Sequence, residues 1–231
     1  MEILYEDNHI IAVNKTCSDI VQGDKTGDEP LADQVKAYLK ETYGKPGNAF
    51  CGVTHRLDRP VSGVVLFAKT SKALTRLNDM FQEHQIRKTY WAIVKDAPAE
   101  PEGTLEHFLI RNEKQNKAYA YDTHKSSAKL ARLHYKTIAQ SDNYTLLEIQ
   151  LETGRHHQIR CQLAKIGCPI KGDLKYGAAR SNPDGGISLH ARSLEFEHPV
   201  THQPIKIVAP IPNERLWQEI TSSLCDEDEQ K

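Results

Sequence analysis

The most constraining feature of this chain is a charged tetrapeptide that leads into an apolar run. His55-Arg56-Leu57-Asp58 precedes residues 61–67, an uncharged stretch that predicts a buried strand. The carboxylate of Asp58 is therefore expected just before a strand, with an arginine on either side. Positive neighbours favour the charged form of a carboxylate, so Asp58 is a candidate nucleophile. Taken alone, however, an aspartate in a basic loop is more often a solvated surface residue.

A second block, at residues 151–160, supports the catalytic interpretation. It reads Leu-Glu-Thr-Gly-Arg-His-His-Gln-Ile-Arg and predicts a polar turn that opens into a basic helix. Together the two blocks resemble the RluA-type pseudouridine synthases, isomerases that convert uridine to pseudouridine in structured RNA. The resemblance extends from Ile3 to about Pro212. Shorter agreements are Ile3–Asp7, Val13–Lys15, Ser62-Gly63, Arg87–Tyr90, Gly167–Ile170, Gly172-Asp173, Leu189–Ala191, His198-Pro199 and Ala209-Pro210.

The resemblance implies three catalytic residues. Asp58 matches the family's catalytic carboxylate, which acts on the sugar of the target uridine. Tyr90 matches a residue whose ring packs on the flipped uracil and whose hydroxyl helps proton transfer. Arg160 matches the family's basic partner of the aspartate. Isomerisation of uridine involves no redox change, so no cofactor is expected.

RNA contacts are implied around these residues. Arg56 resembles the arginine that inserts where the flipped base was, a role suited to a planar cation that stacks and hydrogen-bonds. Ile159 is expected to form an apolar wall. A metal site is not expected, because adjacent His156 and His157 should point to different sides of a helix or strand. The remaining predicted RNA-binding residues are His55, Arg155 and His157.

Net charge alone does not indicate an RNA partner. The 30 Lys and Arg residues are balanced by 31 Asp and Glu residues, but basic side chains dominate residues 56–95 and 155–180, which contain the two motif blocks.

No run is long and apolar enough to span a bilayer, and the N-terminus lacks a signal-peptide pattern, so a cytoplasmic protein is expected. The cysteines predict neither disulfides nor zinc, because no Cys-x-x-Cys pair occurs among Cys17, Cys51, Cys161, Cys168 and Cys225.

Strand patterns outnumber helix patterns, which predicts an α+β fold with a mixed, largely antiparallel sheet flanked by helices. The resemblance implies the pseudouridine synthase fold, in which an active-site cleft bisects the sheet. One catalytic domain is expected over residues 1–225, followed by an acidic tail at 226–231, without an N-terminal S4 domain. Predicted strands are 3–6, 10–14, 61–67, 90–94, 128–138, 144–151, 188–196 and 205–208. Predicted helices are 31–43, 71–84 with Ser71 as cap, 156–166, and 213–224.

Several alternatives stay open at this level. The resemblance implies structured RNA as the substrate, either large-subunit (23S) ribosomal RNA, transfer RNA or both. It also leaves open whether the aspartate attacks the sugar directly or generates a glycal. The rival function is a catalytically silent RNA-binding module or RNA chaperone with the same fold. A glycosidase or metal nuclease is disfavoured, because no second carboxylate or ligand cluster accompanies Asp58 in the motif blocks. A monomer is expected.

Overall fold

The computed structural model describes residues 1–24, 26–44 and 47–228, which form eleven strands and four helices. The strands are β1 (Glu2–Glu6), β2 (Ile10–Lys15), β3 (Gly52–Val53), β4 (Ser62–Ala68), β5 (Arg87–Val94), β6 (Glu102–Asn112), β7 (Lys117–Tyr121), β8 (Lys129–Gln140), β9 (Thr145–Leu151), β10 (Leu189–Glu197) and β11 (Pro204–Val208). The helices are α1 (Leu31–Thr42), α2 (Ser71–Gln82), α3 (Gln158–Lys165) and α4 (Arg215–Asp228), and a single 3₁₀ turn covers Leu174–Tyr176.

The chain divides into two compact units. The first comprises Met1–Lys88 with Ala191–Pro210, and the second comprises Thr89–His190 with the segment that starts at Ile211. In the first unit the strands lie in the order β1, β2, β4, β10, with β3 beside β4 and β11 beside β10. The β1–β2, β2–β4, β3–β4 and β10–β11 pairs are antiparallel.

The core of the first unit is built on β2 and β4. Residues 10–13 and 64–68 are completely buried on both sides of the sheet, which explains why both strands read as continuous apolar runs. Helix α2 buries Ala73 and Leu77. Its N-cap is Thr70, whose hydroxyl accepts a hydrogen bond from the Ala73 amide at 3.2 Å, so the prediction of Ser71 as the cap was wrong by one residue.

In the second unit the strands lie in the order β5, β9, β8, β6, β7, and these neighbours are antiparallel. Helix α3 packs on one face of the outer strands, where Cys161 joins a buried cluster with Leu109, Ala118 and Ala131. Helix α4 instead packs Trp217 against Ile93 and Leu146. Helix α3 ends in a Schellman motif: the Gly167 amide donates to Ala164 O and the Cys168 amide to Leu163 O.

The structure confirms the predicted α+β class and the largely antiparallel pairing. Strands β3, β6 and β7 were not predicted. Helix α4 continues to Asp228, and the remaining positions of the predicted acidic tail, 229–231, lie outside the described residues. The predicted domain boundaries stay a prediction. Within the described part of the chain, no helix combines the length and apolarity that crossing a membrane requires.

The glycine of the Ser62-Gly63 pair is explained by steric constraints. Gly63 has a φ of +115°, and a Cβ atom built on it would lie 2.3 Å from the carbonyl oxygen of Ala191. Any side chain would therefore force the β4 and β10 backbones apart, and a left-handed φ would strain the substituted residue as well. Glycine is required at this position for both reasons.

We expect Gly63→Ala to lower the free energy of unfolding by about 3 kcal/mol, because backbone strain and overpacking add. Urea denaturation followed by circular dichroism measures the change. Gly185→Ala is the matched control, since Gly185 has a φ of +73° but open space around its Cβ position. It should lose only the strain contribution, about 1 kcal/mol. Equal losses in the two variants would contradict the steric explanation.

Candidate active site

The first motif block lies in the loop between β3 and β4. Two side chains of this loop, those of Thr54 and His55, form hydrogen bonds with the same residue of β4. The hydroxyl of Thr54 donates to the carbonyl of Leu66 at 2.6 Å, and Nε2 of His55 accepts from the Leu66 amide at 3.0 Å. The His55 ring also stacks on Phe81 of α2, with 4.7 Å between centroids. The loop is thereby held along β4 where strand pairing has ended.

His55 is a neutral residue in this setting. Burial lowers its pKa to about 3, and its Nε2 atom must be unprotonated to accept the Leu66 amide. Nδ1 then carries the proton. These contacts give His55 a structural task, and the predicted contact of His55 with RNA stays a prediction.

Asp58 begins a tight turn that a buried lysine braces. The Val61 amide donates to Asp58 O at 3.0 Å, closing the turn. Nζ of Lys15, a fully buried residue of β2, donates to Arg59 O at 2.9 Å, to Val61 O at 2.7 Å and to Thr16 O at 2.9 Å. All three protons of the ammonium group are used. Two of these hydrogen bonds hold the backbone that follows Asp58, and the third goes to the residue next to Lys15.

The charges around the turn differ in their exposure. Burial lowers the pKa of Lys15 to about 8, against the opposing effect of Asp19 and Asp58. Asp58 itself is half-buried, whereas Arg56 is exposed. Arg59 points to an acidic loop, where its guanidinium pairs with Asp28 at 2.7 Å. Of the two arginines that flank Asp58 in sequence, Arg59 is thus already paired with another carboxylate.

The turn of the second block is organised by Gln158, the first residue of α3. Its Oε1 atom accepts from the Thr153 hydroxyl at 2.8 Å and from the Arg155 amide at 2.9 Å, while its Nε2 donates to Arg132 O at 3.1 Å. The Arg132 amide donates back to Thr153 Oγ1 at 2.9 Å. Thr-Gly-Arg-x-x-Gln is therefore a folded unit tied to β8. The Arg155 guanidinium donates from Nε to Leu130 O at 2.8 Å.

His156 and His157 do not point to different sides, and that prediction was wrong. Their rings stack with 3.8 Å between centroids. Helix α3 starts only at Gln158, and His157 has a left-handed backbone with a φ of +52°, so neither the helical nor the strand alternation applies.

Tyr176 is the buried hydrogen-bond partner of His157. The Tyr176 hydroxyl accepts from the Ala118 amide at 2.7 Å and is hydrogen-bonded to Nδ1 of His157 at 2.9 Å. Burial, reinforced by the charge of Arg160, lowers the pKa of His157 to about 2. His157 is therefore a neutral imidazole.

Arg160 is buried and forms a bidentate ion pair with Asp173. Its Nε and Nη2 atoms lie 2.6 and 2.9 Å from the two carboxylate oxygens, and both side chains are almost fully buried. The guanidinium also lies 5.1 Å from the centroid of the Tyr176 ring. Because two parallel hydrogen bonds hold the guanidinium, the orientation of Arg160 is fixed. The predicted pairing of Arg160 with Asp58 stays a prediction.

The other predicted residues have ordinary places in the second unit. Tyr90 lies in β5 opposite Ile149 of β9 and is half-buried. Ile159 is buried beside Arg160 in the first turn of α3. The structure thus groups His55, Arg56 and Asp58 in the first unit, and Tyr90, Arg155, His157, Ile159 and Arg160 in the second.

Four supporting residues were not predicted as part of the site: Lys15, Gln158, Asp173 and Tyr176. Lys15 and Asp173 belong to short stretches that carry the family resemblance, and Gln158 lies within the second block. Two of them could have been found from their residue types. A lysine in an apolar strand, such as Lys15, and an aspartate after an apolar run, such as Asp173, need hydrogen-bond or ion-pair partners if they are buried.

Comparison with known proteins decides the family. The family model for RNA pseudouridylate synthases matches residues 9–165. This chain belongs to the RNA pseudouridylate synthase family. It is accordingly an isomerase that acts on RNA, as the motif blocks predict.

Relatives and a solved structure agree with this membership. The chain is 33% identical to ribosomal large subunit pseudouridine synthase D of Xylella fastidiosa, covering 93% of this chain and 67% of the relative. It is 32% identical to tRNA pseudouridine synthase C of Vibrio parahaemolyticus, covering 95% and 93%. Human RNA pseudouridylate synthase domain containing 4 has the same fold, with a TM-score of 0.78, 23% identity and coverage of 97% and 93%.

The pKa of Lys15 predicts how stability depends on pH. The folded protein holds Lys15 with a pKa of about 8, down from 10.5, so between these pH values the unfolded chain binds more protons. The stability of the wild type relative to Lys15→Met should therefore rise with pH across this window, by up to about 1.4 kcal/mol per pH unit.

Urea denaturation of both proteins from pH 7 to 10.5 measures this difference. Lys72→Met, at an exposed position of α2, serves as the control and should show a difference that does not change with pH. A difference between wild type and Lys15→Met that stays constant or falls as pH rises would contradict the assignment.

Proposed function

We propose that this protein isomerises specific uridines to pseudouridine in large-subunit ribosomal RNA, transfer RNA or both, with Asp58 as the catalytic carboxylate. The observation that carries the proposal is the braced turn: a half-buried carboxylate follows an exposed arginine, and a buried ammonium group holds the backbone behind it. Catalytic groups are effective when their supporting backbone is rigid, because little reorganisation is then needed during the reaction.

The reaction breaks the C1′–N1 bond of uridine and forms a C1′–C5 bond. The proton on C5 is lost and N1 gains one, so the product is an isomer and no co-reactant is consumed. Asp58 acts either by attack on C1′ or by removing the C2′ proton to give a glycal. In both routes it must be ionised when the base departs.

The other site residues receive separate roles. Tyr90 packs its ring on the flipped uracil and assists proton transfer through its hydroxyl. Arg160 is the basic partner that keeps Asp58 ionised and oriented. Arg56 takes the position of the extruded base, which its exposed side chain permits. RNA contacts are proposed for His55, Arg155, His157 and Ile159.

The names of two relatives bear on which class of RNA is the substrate. One relative is named for the large ribosomal subunit and another for tRNA, with nearly equal identities to this chain. Both classes therefore remain within the proposal. We further propose that the protein acts as a monomer in the cytoplasm.

Replacement of the carboxylate tests the proposal. With purified protein and RNA transcripts that carry [5-³H]uridine, tritium release reports loss of the C5 proton. We expect Asp58→Asn to lower the rate by about a thousandfold or more, because the carboxylate takes part directly in the chemistry. RNA affinity in a filter-binding assay should change by less than about threefold, since Asp58 is not a binding cation.

Asp79→Asn, an amide substitution at an exposed position of α2, is the matched control and should react like the wild type. Unchanged tritium release by Asp58→Asn would exclude Asp58 as the catalytic group. RNA binding by the wild type without tritium release from either RNA class would favour the silent RNA-binding module instead.

A further inference from the structure

The outer strands of the second unit carry an apolar face that the catalytic residues do not use. Strand β7 reads Lys-Ala-Tyr-Ala-Tyr, and its two alanines pack into the cluster beneath α3. Side chains alternate along a strand, so Lys117, Tyr119 and Tyr121 stand on the opposite face.

Strand pairing extends this face across β6 and β8. Tyr121 lies opposite Phe108, Tyr119 lies opposite Ile110, and Phe108 lies opposite Leu130 on its other side. Residues directly opposite each other share a face. We call the group Phe108, Ile110, Tyr119, Tyr121 and Leu130 the aromatic face. Tyr119 and Leu130 are 38% and 41% exposed.

The rest of the same sheet face is either charged or covered. Nearer the middle of the sheet, His134 lies 3.0 Å from Glu102, and Arg132 lies 3.3 Å from Glu152. At the β5 and β9 end, α4 covers Ile93 and Leu146. Cross-strand packing accounts for half-buried Phe108, but it does not require an aromatic ring at the exposed Tyr119 position.

Two lysines lie near the tyrosine rings of the aromatic face. Nζ of Lys125 lies 3.7 Å from the centroid of the Tyr121 ring. Nζ of Lys117 lies 5.5 Å from that of Tyr119 and 5.1 Å from that of Tyr176, which belongs to the cluster beneath α3. Asp122 faces the α3 side, where its carboxylate pairs with Lys165 at 2.9 Å. The chain as a whole is nearly neutral, but residues 106–132 contain twice as many basic as acidic side chains. The three acidic residues are Glu106, Glu113 and Asp122, and the six basic residues are Arg111, Lys114, Lys117, Lys125, Lys129 and Arg132.

We propose that the aromatic face binds an unpaired segment of the RNA substrate, with bases stacked on Tyr119 and Tyr121 and phosphates held by Lys117 and Lys125. The proposal rests on the proposed function, because it assigns this surface to the same RNA. Exposed rings beside flexible cations are what single-stranded nucleic acid requires of a binding surface, since every base has a face that stacks and every nucleotide carries a negative charge.

A protein partner fits this surface less well. Lysine is depleted at the centre of protein interfaces, whereas here the ammonium groups of Lys125 and Lys117 lie 3.7 and 5.5 Å from the centroids of the Tyr121 and Tyr119 rings. A phosphate backbone attracts these ammonium groups away from the rings, which frees the ring faces for bases. The charge and the exposed aromatic area therefore favour RNA as the occupant.

The test measures binding of a fluorescein-labelled, unstructured twelve-nucleotide RNA to the whole protein by anisotropy. We expect the double variant Tyr119→Leu/Tyr121→Leu, which keeps apolar area but loses stacking, to bind at least about tenfold more weakly. Lys117→Gln/Lys125→Gln should reduce the slope of log K against log salt by about 1.4. Phe50→Ala, at a 42% exposed aromatic of the first unit, is the control and should bind like the wild type.

Photocrosslinking of the wild type to the same RNA carrying 4-thiouridine gives a readout that needs no variant, and we expect crosslinked peptides from residues 117–125. Unchanged affinity in the tyrosine double variant, or crosslinks only elsewhere, would overturn the proposal. A change in sedimentation of that variant with RNA affinity unaltered would also overturn it, and would assign the face to a second copy of the chain. Failure of the proposed function is distinguishable, because Asp58→Asn would then react normally whatever the oligonucleotide result.

Discussion

One buried ammonium group supports the backbone on which the proposed chemistry depends. Lys15 lies within the apolar core of the first unit, and its three hydrogen bonds go to carbonyls of Thr16, Arg59 and Val61. A buried cation is tolerated only when it is fully hydrogen-bonded, so the core and the turn specify each other. If the turn moved, the carbonyls of Arg59 and Val61 would lose their donor, and the buried charge would lose two of its three acceptors. Packing and hydrogen bonding of the residues that follow Asp58 thus together fix its position.

The second unit supports its motif residues by the same physical means. Arg160 is held by the buried carboxylate of Asp173, and His157 is held by the hydroxyl of Tyr176. Arg160 and His157 therefore each have a buried partner that fixes the orientation of the side chain. Such partners are needed because a buried arginine or histidine without them is destabilising and mobile. Arg56 differs from these residues in being exposed, which agrees with the proposed contact between its side chain and RNA.

Part of this arrangement could be predicted from the sequence. Residues 10–13 of β2 and 64–68 of β4 are uniformly apolar because both faces are buried. Helix α2 shows an apolar stripe at Leu74, Leu77 and Phe81. Strand β6 was missed because its two faces are similar: Leu105, His107 and Leu109 on one side, Glu106, Phe108 and Ile110 on the other. The stacked histidines could not be anticipated either, because a left-handed non-glycine residue such as His157 leaves no pattern in the sequence. Partners such as Asp173 depend on tertiary contacts between distant segments.

The most direct measurement is carbodiimide mapping of pseudouridine across all ribosomal and transfer RNA from cells that lack this protein. The cells are complemented with the wild type or with Asp58→Ala. The account predicts that at least one specific pseudouridine disappears in the deletion strain, returns with the wild type and does not return with Asp58→Ala. The RNA that contains this site is then the substrate. Restoration of the modification by Asp58→Ala would contradict the central role given to Asp58.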